Sequence, residues 1–359
     1  MKISLIVGVR PEFIQCTQVV HELSAHYETH IIHTGQHYDY VMNQVFFDEL
    51  HIPQPACHLD IGSGSHGRQT GQMLEKIEST LSETRPDMVI VFGDTNSTLA
   101  GALAAAKMQI CVGHVESGMR SFDRTMPEEI NRILTDHCSD ILFCSTQSAV
   151  RNLRDEGIIE GVYLTGDVTV DALRRYKKIA EDKSTILEKL DLSPKEYFVA
   201  TIHRASNTDI KENIVNIIEA LCASNKKVVF PVHPRTQSVL VNFGLYEKLL
   251  NAKNIQVIQP LGYLDFLQLL NNAEKIITDS GGIQKEAYIL QVPCITIREN
   301  TEWVETVEDG WNVLVGTDRD AISKMISEFS PQTGQTQIFG ENASKQIVNR
   351  IKSIQAGRV

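Results

Sequence analysis

The chain has 359 residues, long enough for two domains of ordinary size. Hydrophobic residues make up 42%, which supports a substantial core, and the formal charge of −11 argues against general affinity for nucleic acid or an anionic membrane. The seven cysteines are scattered, odd in number and without a Cys-x-x-Cys pair, as expected of reduced core residues rather than of disulfides or a zinc site.

The first apolar run, Ile3–Val7, is broken at once by Arg10-Pro11-Glu12. It reads as a strand, too short for a signal peptide or a membrane span, so a cytoplasmic protein is expected. Similar short runs follow at His30–His33, Met88–Phe92, Ile110–Val115 and Ile141–Cys144. They resume at Phe198–Ile202, Val228–Val232, Ile255–Ile258, Ile276–Thr278, Cys294–Ile297 and Val313–Val315. Helical periodicity fills many of the gaps, as in Glu12–Ser24, Thr98–Lys107, Pro127–His137 and Ile210–Ala223. Alternation of this kind implies parallel sheets covered by helices on both faces. Eleven strands are many for one sheet, so two doubly wound domains are expected. A charged helical stretch, Val168 to Leu192, separates the strand groups and places the boundary near Gly166-Asp167.

In such folds ligands bind beyond the carboxyl ends of strands. The polar clusters fall there. Gly8-Val9-Arg10-Pro11-Glu12 follows the first strand; Pro11 and Glu12 suit a helix start, and Arg10 suits an anion. Asp94 and Glu116 end adjacent strands and could share a site, where paired carboxylates serve proton transfer. The plainer roles are a helix cap for Asp94 and a solvated carboxylate for Glu116. Glu128 opens a helix and could simply pair with Arg132. His203-Arg204 and His233-Pro234-Arg235 end strands of the second group, as a leaving-group clamp or as structural residues.

The most telling stretch is Thr278-Asp279-Ser280-Gly281-Gly282-Ile283-Gln284-Lys285-Glu286. Its glycines let backbone approach a ligand, and the helix start suits a phosphate. Glu286, four residues past Gly282, could accept hydrogen bonds from a ribose diol. An ordinary helix start capped by Ser280 is the alternative. Two other matches carry little. Gly62-Ser63-Gly64-Ser65-His66-Gly67 follows a short polar run, not the first strand of a βαβ unit, and does not imply nicotinamide. His33 and His37 flank a turn, not a helix, and do not imply a metal.

Taken together, these motifs resemble the non-hydrolysing UDP-N-acetylglucosamine 2-epimerases. The resemblance rests on Gly8–Glu12, His33–His37, Gly93-Asp94-Thr95, Gly113–Gly118, Pro127–Arg132, His203-Arg204 and Asp279–Glu286, and covers nearly the whole chain. It implies two Rossmann-like doubly wound domains of GT-B type with the site in the cleft between them. The domains would be 1–167 and 168–339, with a C-terminal helix at 340–359 packing back on the first. It also implies a homodimer, a UDP-sugar substrate, and anti elimination of UDP to a 2-acetamidoglucal followed by re-addition, with no cofactor or metal.

Residue by residue, the resemblance assigns catalysis to Asp94, Glu116, Glu128 and His203. It assigns nucleotide binding to Arg10, Phe266, Ser280, Gly281, Gly282 and Glu286. Gln36, His37, Arg68, Gln69, Arg204 and His233 resemble an allosteric UDP-sugar site. Three departures stand out. Gln15 occupies a position that is usually Lys, Leu261 replaces a Gln of some members, and Trp303 lies where many have Arg before Pro. The loop from Arg120 to Pro127 is also short. Glu302-Trp303-Val304-Glu305 resembles relatives acting on UDP-2,3-diacetamido-2,3-dideoxyglucuronate. A GT-B glycosyltransferase and a catalytically silent UDP-sugar sensor are the competing readings.

Overall fold

The computed structural model describes residues 1–36 and 53–357. The chain divides into two compact units, Met1–Ala172 with Gln337–Val359, and Leu173–Thr336. The division falls within the helix Val168–Lys183.

Among the described residues the first unit holds seven parallel strands: β1 (Lys2–Val7), β2 (Glu28–His33), β3 (Cys57–His58), β4 (Met88–Phe92), β5 (Cys111–Ser117), β6 (Ile141–Cys144) and β7 (Val162–Leu164). Their order is β3-β2-β1-β4-β5-β6-β7. The second unit holds six: β8 (Tyr197–Thr201), β9 (Lys227–Pro231), β10 (Ile255–Ile258), β11 (Lys275–Thr278), β12 (Cys294–Thr296) and β13 (Asn312–Leu314). Their order is β10-β9-β8-β11-β12-β13. Each unit is therefore doubly wound and Rossmann-like. The direction of winding reverses at β1/β4 in one and at β8/β11 in the other, where such folds place ligands.

Burial explains why these strands were visible as apolar runs. In β4, all of Met88–Phe92 is buried, as expected when helices cover both faces. The core beneath it joins Ile6, Ile32, Val89 and Val91 to Met73, Ile77 and Leu81 of the helix His66–Thr84. In the second unit Phe198, Val228, Phe230 and Ile277 pack with Ile214, Ile217 and Leu221 of the helix Lys211–Cys222.

Two strands had no such signal. β3 and β7 lie at the two edges of the first sheet. They have two and three residues, none fully buried, so no apolar run marks them. The expected long helix from Val168 to Leu192 is two helices, Val168–Lys183 and Ile186–Lys189. Between them Ser184 donates to Asp265 Oδ1 at 2.5 Å. The C-terminal helix Ala343–Gly357 belongs to the first unit and packs on the helix Arg10–Ser24. Its start is held by Ser344, whose N and Oγ both donate to Asp171 Oδ2, at 2.9 and 2.8 Å.

Candidate active site

The turn after β1 is closed by a buried carboxylate. Glu12 Oε2 accepts from the N–H groups of Gly8 (2.6 Å) and Val9 (3.2 Å). Its Oε1 accepts from Thr95 Oγ1 (2.6 Å) and Thr98 Oγ1 (3.1 Å). Burial pushes the Glu12 carboxyl up to about 7, even though all four bonds pull the other way. Glu12 thus does more than sit at a helix start: it ties the β1 turn to the β4 turn. Space there is tight, since a Cβ on Gly8 would lie 2.0 Å from Ser97 Oγ. Arg10 begins the helix Arg10–Ser24 and is half-buried.

β4 and β5 are paired neighbours, so Asp94 and Glu116 leave adjacent strand ends. Asp94 is not the cap of the helix Asn96–Lys107. That role falls to Thr95, whose side chain accepts from Ser97 N and Thr98 N. Asp94 Oδ2 instead receives Arg132 Nη2 at 2.6 Å, and its backbone carbonyl receives Asn131 Nδ2 at 2.9 Å. Behind the turn, His114 is fully buried. Its Nε2 lies 2.8 Å from Gly93 O and its Nδ1 2.7 Å from Asp136 Oδ1. Burial opposes ionisation of Asp136, but His114 and Arg120 outweigh it and hold its carboxyl below the usual range.

Glu116 sits at a β-bulge between Val115 and Ser117, with φ at +73°. A left-handed, non-glycine residue at a bulge is strained, and the bulge re-aims its side chain. That side chain receives Gln15 Nε2 at 2.5 Å. Glu116 is half-buried and hydrogen-bonded, not a freely solvated rim group.

Glu128 does not take Arg132 as its partner. Arg132 pairs with Glu129, three residues away, at 2.8 Å and with Asp94 at 2.6 Å. Glu129 is buried and also accepts from Ser121 N (2.9 Å), Ser121 Oγ (3.0 Å) and Phe122 N (2.9 Å). The short loop after Arg120 is therefore pinned by Glu129. Glu128 itself is half-buried and makes no hydrogen bond or ion pair with another described residue.

In the second unit, Asp279 organises the ends of β8 and β11. It is fully buried and accepts from His203 N (3.1 Å), Arg204 N (3.0 Å) and Asn207 Nδ2 (3.1 Å). The His203 side chain is exposed, with Nδ1 3.5 Å from Asp279 Oδ1. Ser280 is the N-cap residue of the helix Gly281–Ile289, yet its side chain makes no capping bond. The first N–H groups of that helix are thus left without a side-chain cap.

The two glycines differ. A Cβ on Gly282 would meet nothing within 4 Å, whereas one on Gly281 would lie 1.9 Å from Glu302 Oε1. Gly282 leaves open approach to the backbone. Gly281 makes room for Glu302, which pairs with Arg298 at 2.9 Å. Beside it Lys285 Nζ lies 4.5 Å from the centroid of the buried Trp303 ring. Burial pushes the Glu286 carboxyl up to about 7, against a smaller lowering by the Lys285 charge. Phe266 is half-buried on the helix Tyr263–Asn272.

The effector candidates separate into groups. Gln36 Oε1 accepts from Ser97 N (3.2 Å) and Ser97 Oγ (2.6 Å). Gln69 is buried, donating to Gly62 O (2.7 Å) and accepting from Asn96 Nδ2 (2.8 Å). Both therefore brace the start of the helix Asn96–Lys107. Arg68 is exposed and makes no hydrogen bond or ion pair with another described residue. His233 caps its own helix by accepting from Arg235 N at 3.2 Å. Arg204 is half-buried beside Asp279. His37 lies outside the described residues. His33 Nδ1 is 3.0 Å from His58 Nδ1, and burial, then the neighbouring His58, pull its pKa down to about 4. Among the described residues no cluster of three or more His, Cys, Asp or Glu could hold a metal ion, and no helix is long and apolar enough to cross a membrane.

Sequence reasoning missed Glu12 as a tie between turns, as well as Glu129, His114, Asp136 and Asp279. Each is a buried polar residue inside a recognised motif or helix. The face of the helix Pro127–Cys138 that buries Glu129 and Asp136 is itself polar, with Asn131, Arg132 and Thr135, so no apolar periodicity marked them.

A sequence profile described as UDP-N-acetylglucosamine 2-epimerase matches residues 21–352. The chain is 56% identical over 357 residues to a UDP-N-acetylglucosamine 2-epimerase homolog of Methanococcus maripaludis, covering 99% of this chain and 100% of the relative. It is 46% identical over 332 residues to the UDP-2,3-diacetamido-2,3-dideoxy-D-glucuronate 2-epimerase of Pseudomonas aeruginosa, covering 90% of each. Among solved structures, it is similar to the Methanocaldococcus jannaschii UDP-GlcNAc 2-epimerase in complex with UDP-GlcNAc and UDP. The TM-score is 0.92 at 46% identity, over 99% of this chain and 100% of that one. With matches spanning both doubly wound units, the chain belongs to the UDP-N-acetylglucosamine 2-epimerase family of isomerases.

Proposed function

We propose that this enzyme inverts C2 of a UDP-2-acetamido sugar, converting UDP-GlcNAc to UDP-ManNAc. In this reading a carboxylate removes the C2 proton while the C1–O bond to UDP breaks, and the electron pair forms the C1=C2 bond of a 2-acetamidoglucal. The proton then returns to the opposite face of C2 and UDP adds back at C1. Asp94, Glu116 and Glu128 are the acid–base groups, with His203 and Arg10 beside the diphosphate. Gly282, Ser280 and the start of the helix Gly281–Ile289 receive the diphosphate, Glu286 the ribose and Phe266 the base. The observation that carries the reading is Glu116, set at a bulge with a left-handed backbone near the end of β5, the strand paired with β4, after which Asp94 follows.

A second substrate is favoured by one specific observation. The Pseudomonas relative, named for UDP-2,3-diacetamido-2,3-dideoxy-D-glucuronate, is 46% identical. The Glu302–Glu305 pattern resembles such relatives. The same proposal makes the protein a cytoplasmic homodimer without cofactor, which sedimentation equilibrium checks for oligomeric state. The decisive test is incubation with each sugar nucleotide in D2O, followed by NMR at C2. Deuterium at C2 with formation of the 2-epimer is expected. No exchange with either compound would sink the proposal.

A further inference from the structure

The helix Gly281–Ile289 carries two adjacent stripes of side chains. Gly282 and Glu286, four residues apart, form the stripe that the proposed function gives to the nucleotide. Gly281 and Lys285, also four apart, form the next. The segment Thr301-Glu302-Trp303 covers this second stripe. Thr301 Oγ1 donates to Gln284 Oε1 at 2.6 Å, Glu302 fills the space above Gly281, and Lys285 Nζ lies 4.5 Å from the Trp303 ring centroid. Both members of that last pair are buried, Lys285 at 4% exposure and Trp303 at 2%.

A buried ammonium is costly, and a carboxylate partner stabilises it by cancelling its field. An indole ring attracts the ammonium through its quadrupole but has no net charge. The cation is therefore held while its field still acts on its surroundings. Trp303 lies where the resemblance gives many members an Arg, and an arginine there would repel Lys285. The carboxylate of the same segment, Glu302, is engaged by Arg298 Nη1 at 2.9 Å. Glu286 follows Lys285 directly in the chain and is desolvated, so a unit charge beside it counts for more than in water. Burial pushes its carboxyl up, and the Lys285 charge works against that rise.

The other groups around Glu286 are accounted for. Tyr263, on the helix Tyr263–Asn272, is pushed well above its usual range by burial, then by the Glu286 charge, and stays neutral. Tyr176 stacks edge-on against it, with ring centroids 5.8 Å apart. At the ends of β8 and β11, His203 Nδ1 lies 3.5 Å from Asp279 Oδ1.

Resting on the ribose assignment of Glu286, we propose that Trp303 seats Lys285 as a fixed positive charge behind Glu286, and that this cation, without touching the ligand, makes Glu286 a better nucleoside acceptor at neutral pH. Lys285 and Trp303 are then positioning residues of the nucleotide site.

Titration calorimetry with uridine from pH 6 to 8.5 tests this. Lys285→Met removes the charge and keeps the bulk. The pH at which uridine affinity is half-maximal is expected to rise by about one unit, because removing the cation favours the neutral carboxyl. At pH 7 uridine should then bind about fivefold more weakly than to wild type, and by pH 8.5 the two proteins should agree within about twofold. Lys285→Arg keeps a charge that stacks on the ring and should restore the wild-type profile. Trp303→Leu unseats the lysine and should move the profile in the direction of Lys285→Met.

An unmoved midpoint in Lys285→Met overturns the proposal. So does a uniform loss of affinity at every pH, which marks a packing role, or an equal shift in Lys285→Arg. A wild-type profile in Trp303→Leu removes the seat, and that variant carries the test if Lys285→Met does not fold. In a Glu286→Gln background, Lys285→Met should leave the profile unchanged, and a shift that persists there, as one routed through His203 would, refutes the coupling. Failure of the ribose assignment looks different. Glu286→Gln alone would then leave the wild-type pH dependence intact, and this inference would fall with it.

Discussion

The strand-end turns of the two units are built from different material. In the first unit, acidic side chains dominate and each is held differently. Asp94 is clamped by Arg132, Glu116 is held by neutral Gln15, and Glu128 is bound to no other described residue. In the second unit, the turn after β11 offers backbone N–H groups, an open Gly282 and one desolvated carboxyl, Glu286. The contrast follows from the tasks proposed for each. Proton transfer needs carboxyls in graded environments, whereas a diphosphate needs fixed dipoles that cost nothing to reorganise. Supporting residues also differ. Arg132 and Gln15 touch the first unit's carboxylates directly, while Asp279 and Glu302 shape the second unit's turns from behind.

The sharpest way to break this comparison is to neutralise the first unit's acids. Asp94→Asn, Glu116→Gln and Glu128→Gln should each lower turnover by about 10²-fold or more, with UDP affinity nearly unchanged. The double variants should lose less than the product of the singles, because the groups act on one proton path. If UDP affinity falls in step with turnover for all three, they are binding residues and the division of labour is wrong.

The second unit should behave oppositely. Glu286→Ala should weaken UDP binding by about 1–3 kcal/mol, the size of a charge-assisted hydrogen bond to ribose. The glycines then sharpen the picture. Gly281→Ala should destabilise the fold by roughly 1–3 kcal/mol, because the new Cβ displaces Glu302. Gly282→Ala should leave thermal stability intact and reduce UDP affinity alone. Thermal melts and UDP calorimetry on the pair would contradict the assignment if both glycines behaved alike.

The smallest effect is a pH dependence of nucleoside binding. The free Glu286 carboxyl is raised to about 7, and a ribose diol donates to its ionised form. Binding therefore favours the charged carboxylate and releases a proton below that value. Uridine, which has no phosphate to titrate, should bind roughly tenfold more weakly at pH 6 than at pH 8, with affinity levelling above 8. Glu286→Gln should flatten this dependence. Isothermal titration across that range showing equal slopes in both proteins would remove Glu286 from the ribose site.

The strand–turn–helix order was legible because buried parallel strands are continuous apolar runs, and because close approach of backbone demands glycine. Eleven strands could be read this way, while the short edge strands β3 and β7 could not, since an edge needs little apolar surface. The candidate site was readable to the same depth. Asp94, Glu116 and Gly282 stand at strand ends that any doubly wound chain must have. Sequence alone thus determined the fold class and pointed to the strand-end loops proposed to carry the chemistry. Tertiary structure decided the partners. It gave Arg132 to Asp94 and Glu129 instead of Glu128, the cap to Thr95 instead of Asp94, and the space above Gly281 to Glu302. It also joined Gln15 to Glu116 across 101 residues of sequence. The physical reason is that hydrophobic periodicity records whether a residue is buried, while a hydrogen bond depends on which strand ends meet, and β1, β4 and β5 meet only once the sheet is wound.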